Sequence, residues 1–87
     1  MVSRARRFGK SVHSPEQAAF RELLIQARDD AGLTQQRLAK KLGKHQSFVA
    51  KYEGGERRID VVEFLTITRA IGADPVRILK ALIGRIG

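Results

Sequence analysis

Residues 35–54 read QQRLAKKLGKHQSFVAKYEG, and the rest of the chain is organised around them. Apolar residues fall at Leu38, Ala39 and Leu42, then at Val49 and Tyr52. That spacing puts each set on one stripe of a short helix. Gly43 lies between the sets, where a chain leaving a helix takes positive φ at little cost. The stretch therefore predicts two helices, 35–42 and 46–53, joined by a tight turn. Ala39 is small enough for the second helix to cross close to the first, and Val49 fills the crossing. Gln46, Ser47, Ala50 and Lys51 fall on the opposite face, with no core to fill. Such a pair is either an ordinary hairpin inside a small bundle or a helix-turn-helix whose second helix is free to enter a DNA major groove.

Charge favours the second reading. The chain has 87 residues and a net charge of +8. Residues 1–13 carry +4, residues 14–33 carry −2, residues 34–58 carry +5 and residues 59–87 carry +1. Charge serving only solubility would spread evenly. Here it collects on the N-terminal segment and on the helix pair, as a polyanionic partner requires.

The totals exclude other classes. A chain of this length makes one domain with a modest core. It has no cysteine, which rules out disulfides and thiolate metal sites. His13 and His45 are too few and too far apart to suggest a metal site. No apolar run reaches the length of a membrane span. The basic start MVSRARRFGK is not followed by an apolar signal core, so a cytoplasmic protein is expected. No nucleophile is paired with a base, no carboxylate pair suggests a cleft, and no glycine loop suits a phosphate. Neither an enzyme nor a cofactor is expected.

The flanking segments supply the scaffold. Residues 1–13 hold Arg4, Arg6, Arg7 and Lys10 without an acid. They predict a flexible basic arm, either a tail with incidental charge or one that follows phosphates or a minor groove. Ser14, Pro15 and Gln17 form a helix start, with Ser14 as N-cap. That helix should run to about Ala31 and bury Phe20, Leu23, Leu24, Ala27 and Ala31. Thr34 should cap the helix 35–42. Asp60 and Glu63 bracket another capping box and open a fourth helix. Its expected stripe is Val61, Phe64, Leu65, Thr68 and Ile71. Asp74 and Pro75 open a fifth helix that should end near Ile83, with the last residues frayed. Val76, Ile78, Leu79, Leu82 and Ile83 are more apolar than one face needs. They either pack on the first helix or form a dimer surface.

The helix 46–53 carries the candidate base readers. A Gln46 amide can bond adenine N7 and N6 together, and Ser47 suits either kind of base edge. Lys51 reaches guanine or the backbone, and the Ala50 methyl suits thymine. Phe48 either touches a thymine methyl or folds back on the core. The phosphate candidates are Gln35 and Gln36 at a helix N-terminus, Lys44 and His45 in the turn, and Arg57 and Arg58 in the loop after Gly55.

Over AGLTQQRLAKKLGKHQSFVAKYEGGER the sequence resembles the lambda-repressor-like, or Cro/repressor (XRE-type), helix-turn-helix family. The Gly-Leu-Thr-Gln opening, the Leu-Ala before the turn, the Leu-Gly turn and the Glu-Gly exit carry the likeness. So does the Ala-Ile-Gly that ends the fourth helix. The likeness spans about residues 16–83. It implies an all-α fold of five helices, residues 14–87, behind the basic arm 1–13. It also implies that Gln35 touches phosphate, that Gln46, Ser47 and Lys51 face bases, and that Arg28 pairs with Glu53. That pairing also gives a reason for an acid within a basic patch. Lys44, His45 and Phe48 depart from the family pattern, which commonly has an apolar residue, a Ser or Thr, and a smaller side chain at these positions.

The expected function is sequence-specific binding of double-stranded DNA by a small transcriptional regulator, a repressor acting as a homodimer on a palindromic operator. The alternative is an antitoxin that binds its own operator and a toxin protein. An RNA-binding or interaction adaptor is a third.

Overall fold

The structure, a computed structural model, describes residues 14–86. The basic arm 1–13 therefore lies outside the described residues. Five helices follow one another: α1 Pro15–Asp30, α2 Gln35–Leu42, α3 Gln46–Glu53, α4 Val61–Ile71 and α5 Pro75–Ile86. The described residues contain no strand.

Each helix begins on a side chain that satisfies an otherwise unpaired amide. Ser14 Oγ accepts from the Gln17 amide at 3.1 Å, with Pro15 in the first turn. Thr34 Oγ1 accepts from the Arg37 amide at 3.0 Å. Asp60 and Glu63 make both halves of a capping box, at 2.7 and 2.9 Å. Asp74 Oδ1 accepts from the Val76 amide at 2.9 Å. His45 caps α3 with its ring: Nδ1 accepts from the Ser47 amide at 3.1 Å. At the other end of α2, Gly43 has φ of 69° and turns the chain toward α3. A side chain there would be strained.

The core is Leu24 of α1, Leu38 and Ala39 of α2, Val49 and Tyr52 of α3, Phe64, Ile67 and Ile71 of α4, and Ile78 of α5. α1 packs chiefly on α5 and also on α3, while α2 packs on α3 and α4. Ala39 and Val49 are both buried where α2 and α3 meet. A larger side chain at 39 would force the pair apart, at about 1–3 kcal/mol. The Phe20 and Phe64 rings meet with centroids 5.4 Å apart, joining α1 to α4.

Three expectations need correction. On α4 the buried stripe is Phe64, Ile67, Thr68 and Ile71, whereas Val61 and Leu65 are exposed. The two stripes share Phe64, Thr68 and Ile71. The neighbouring helices select the one that includes Ile67. On α1 Ala19 is buried and Ala31 is exposed, because the helix ends at Asp30 and Ala31 turns away as its cap. α5 continues to Ile86 instead of fraying after Ile83, and Arg85 pairs with Glu22 of α1. Only Ile78 of α5 is buried, and Val76, Leu79 and Ile83 face outward.

Candidate nucleic-acid interface

One face of α3 is anchored and the other is open. Val49, Tyr52 and Glu53 are buried. Gln46 and Lys51 are exposed, and Ser47 and Ala50 are half-buried. The four candidate base readers thus share the side of α3 away from the core. Ser47 Oγ lies 3.1 Å from His45 Nδ1, so its hydroxyl is oriented by the residue that caps the helix.

Glu53 fixes the tilt of α3. Its carboxylate accepts from Arg28 Nε at 2.7 Å and from Arg28 Nη2 at 2.9 Å. A third bond comes from Gln35 Nε2 at 2.8 Å. Arg28 Nη1 also donates to the Leu33 carbonyl at 2.8 Å. One charge-assisted cluster therefore ties α1, the α1–α2 connection, the start of α2 and the end of α3. The hydrogen bond to Glu53 holds the Arg28 pKa above its usual value, ahead of the opposing effect of burial. Tyr52 beside it has its phenol pushed up by burial. Gln35 was a candidate phosphate ligand. In this structure its side chain is turned inward onto Glu53, so only the backbone amide end of α2 remains to meet a phosphate there.

The remaining phosphate candidates, Gln36, Lys44, His45, Arg57 and Arg58, are exposed. An open groove between α2 and α3 is lined by Gln36, Arg37, Lys40, Lys44, His45 and Gln46. Arg37 and Lys40 join this lining without being among the residues expected to meet phosphate. Their signal was the spacing of three residues between Arg37 and Lys40, which puts both on one edge of α2.

The loop after α3 holds a second cluster. Arg57 forks onto Glu63, with Nη2–Oε2 at 2.8 Å and Nη1–Oε1 at 3.2 Å. Its Nη1 also donates to the Arg58 carbonyl at 3.0 Å. The guanidinium carbon lies 4.9 Å from the centre of the Phe48 ring, and Lys44 Nζ lies 5.5 Å from it. Phe48 meets Tyr52 edge-on at 5.6 Å. Phe48 is thus half-buried, with one edge on the core and cations around it. The hydrogen bond from Arg57 lowers the Glu63 pKa, with a further contribution from the Asp60 amide. The same bond raises that of Arg57. Gly55 shapes the loop. It is buried, its φ is 81°, and a Cβ there would meet Arg21 Cζ at 3.1 Å.

This geometry has counterparts. The helix-turn-helix family model matches residues 24–78. An XRE-family like protein from Pseudomonas syringae pv. tomato str. DC3000 is 45% identical, with a TM-score of 0.80 over 87% of this chain and 93% of that one. The chain belongs to the XRE-type helix-turn-helix family. It is accordingly a DNA-binding regulator of transcription. More distant chains share the fold. The clp gene regulator ClgR from C. glutamicum is 20% identical, with a TM-score of 0.74 over 86% of this chain and 97% of that one. The restriction-modification controller protein C.Esp1396I is also 20% identical, with a TM-score of 0.76 over 85% and 95%. No curated protein matches the chain. None of the described helices of this XRE-family chain is long and apolar enough to cross a membrane.

Proposed function

We propose that the chain is a repressor that reads a palindromic operator as a homodimer, with α3 in the major groove. The observation that carries this reading is the split of α3, whose inner residues Val49, Tyr52 and Glu53 are buried while Gln46 and Lys51 are exposed. Gln46 reads adenine, Lys51 reads guanine, Ser47 bonds a base edge and Ala50 meets a thymine methyl. The amide end of α2 at Gln35, with Gln36, Lys44, His45, Arg57 and Arg58, contacts phosphates. One reading helix covers few base pairs. Two of them, about 34 Å apart on a dyad, supply the specificity a regulator needs.

The apolar face of α5 supports a dimer. Val76, Leu79, Ile83 and Ile86 recur at helical spacing and are exposed, and Leu65 of α4 is exposed as well. The same face supports the second reading, an antitoxin in which α5 binds a toxin protein. A chain that stays monomeric and co-purifies with a toxin favours that reading.

Salt titration of DNA affinity tests the proposal. If each protomer neutralises about four phosphates, log K falls with log salt with a slope near −7. A slope near −2 contradicts a dimer gripping the backbone on both half-sites.

A further inference from the structure

The Arg57–Glu63 fork stands beside the reading helix and serves neither the core nor the base readers. A carboxylate and a phosphate offer an arginine the same two-oxygen edge, and both take a planar, bidentate pair. Glu63 fills that edge here. The pair is surface-accessible, with 40% of the Arg57 side chain and 29% of the Glu63 side chain exposed. Exposed pairs of this kind are weak enough to exchange. Phe48 holds the guanidinium from one side through its ring face, so the group keeps its place when its anionic partner changes. Glu63 is itself held in place, because the capping box ties its Oε1 to the Asp60 amide.

We propose that Glu63 is an internal stand-in for a DNA phosphate on Arg57: it holds the guanidinium in the binding posture in the free protein, hands it to the backbone on docking, and so lowers affinity for all duplexes alike. The proposal rests on the DNA-binding reading above and adds a restraint to it. The exchange is a swap of ion-pair partners with no bond made or broken. Its effect is on the sequence-independent part of binding, since phosphate contacts carry no base information. A regulator that must leave random DNA to find one operator gains from weaker random binding.

Glu63→Gln isolates the effect. Glutamine also serves at this position of a capping box, so α4 keeps its start while the charge is lost. Thermal melting of the variant checks that. Affinity for a labelled random-sequence duplex is then measured by fluorescence anisotropy across about 0.05–0.2 M salt, for the wild type, Glu63→Gln, Arg57→Ala and the double variant. The expected result is a gain of about two- to fivefold for Glu63→Gln, the size of an exposed ion pair, with little change in the salt slope, since Arg57 meets the same phosphate in both proteins. In the Arg57→Ala background the gain vanishes. An unchanged or weaker affinity of Glu63→Gln overturns the proposal. So does an equal gain in the Arg57→Ala background, which reports only the removal of a nearby negative charge. If the wild type binds no duplex at any salt, the DNA-binding reading fails and this proposal with it. If the wild type binds and the variant does not gain, only the proposal fails.

Discussion

Replacing Arg28 by alanine should be among the most damaging single changes in this domain. The Glu53 side chain is only 3% exposed and that of Arg28 only 12%. Arg28→Ala removes two charge-assisted bonds to the carboxylate and the bond to the Leu33 carbonyl. It leaves a buried charge with Gln35 as its remaining donor. Breaking a buried pair from one side costs about 3–5 kcal/mol, most of it the penalty on the group left behind. A small domain has only about 5–10 kcal/mol of stability in total, so the variant sits near the edge of folding. The reverse change, Glu53→Gln, should cost less, about 1–2 kcal/mol. Glutamine keeps an acceptor for Arg28, and the guanidinium keeps the Leu33 carbonyl and its contact to Asp29 at 3.6 Å. Replacing both residues with apolar ones of similar size should recover much of the loss, since neither charge is then stranded. Urea denaturation of the four proteins measures this directly. The reasoning is refuted if Arg28→Ala costs under about 1 kcal/mol, or if Glu53→Gln costs more than Arg28→Ala.

Other changes test the interface. Arg57→Ala should weaken operator and random DNA alike and flatten the salt slope by about one unit, measured by anisotropy. An effect confined to one base position would reassign Arg57 to base reading. The double substitution Leu79→Asp with Ile83→Asp should leave a folded monomer in sedimentation, because both side chains are exposed on α5. Its affinity for a two-half-site duplex should drop about 100-fold or more as the linkage between reading helices is lost. A variant that stays dimeric places the interface elsewhere.

Local signals were legible in the sequence, and most contacts across distance were not, the Arg28–Glu53 pair being implied by the family likeness. The caps at Ser14, Thr34 and Asp60 and the left-handed turn at Gly43 are decided within a few residues, so pattern alone finds them. The α4 stripe is different. Residues 61, 64, 65, 68 and 71 and residues 64, 67, 68 and 71 both keep helical spacing with apolar content, and only the surrounding helices choose between them. The inward turn of Gln35 depends on a carboxylate 18 residues away. Nothing near Gln35 distinguishes that from a side chain pointing at solvent. Glu63 is half of the capping box that the Asp60–Glu63 spacing predicts. Its second bond, to Arg57, requires the loop to fold back, and the buried Gly55 beside Arg21 helps fix that path. The sequence therefore reveals the reading helix and its outward residues, while the Gln35 bond to Glu53 and the Arg57–Glu63 fork emerge only in three dimensions.

The central claim is that outward side chains of α3 meet base edges. Selection of bound sites from a random duplex library, run in parallel for the wild type and Gln46→Ala, tests it most directly. The wild type should enrich a dyad-symmetric site, and the variant should recover the same site with one position per half-site relaxed, at a cost of about 1–3 kcal/mol on the original operator. An enriched site that the variant reads identically, or no enriched site at all, would contradict the claim.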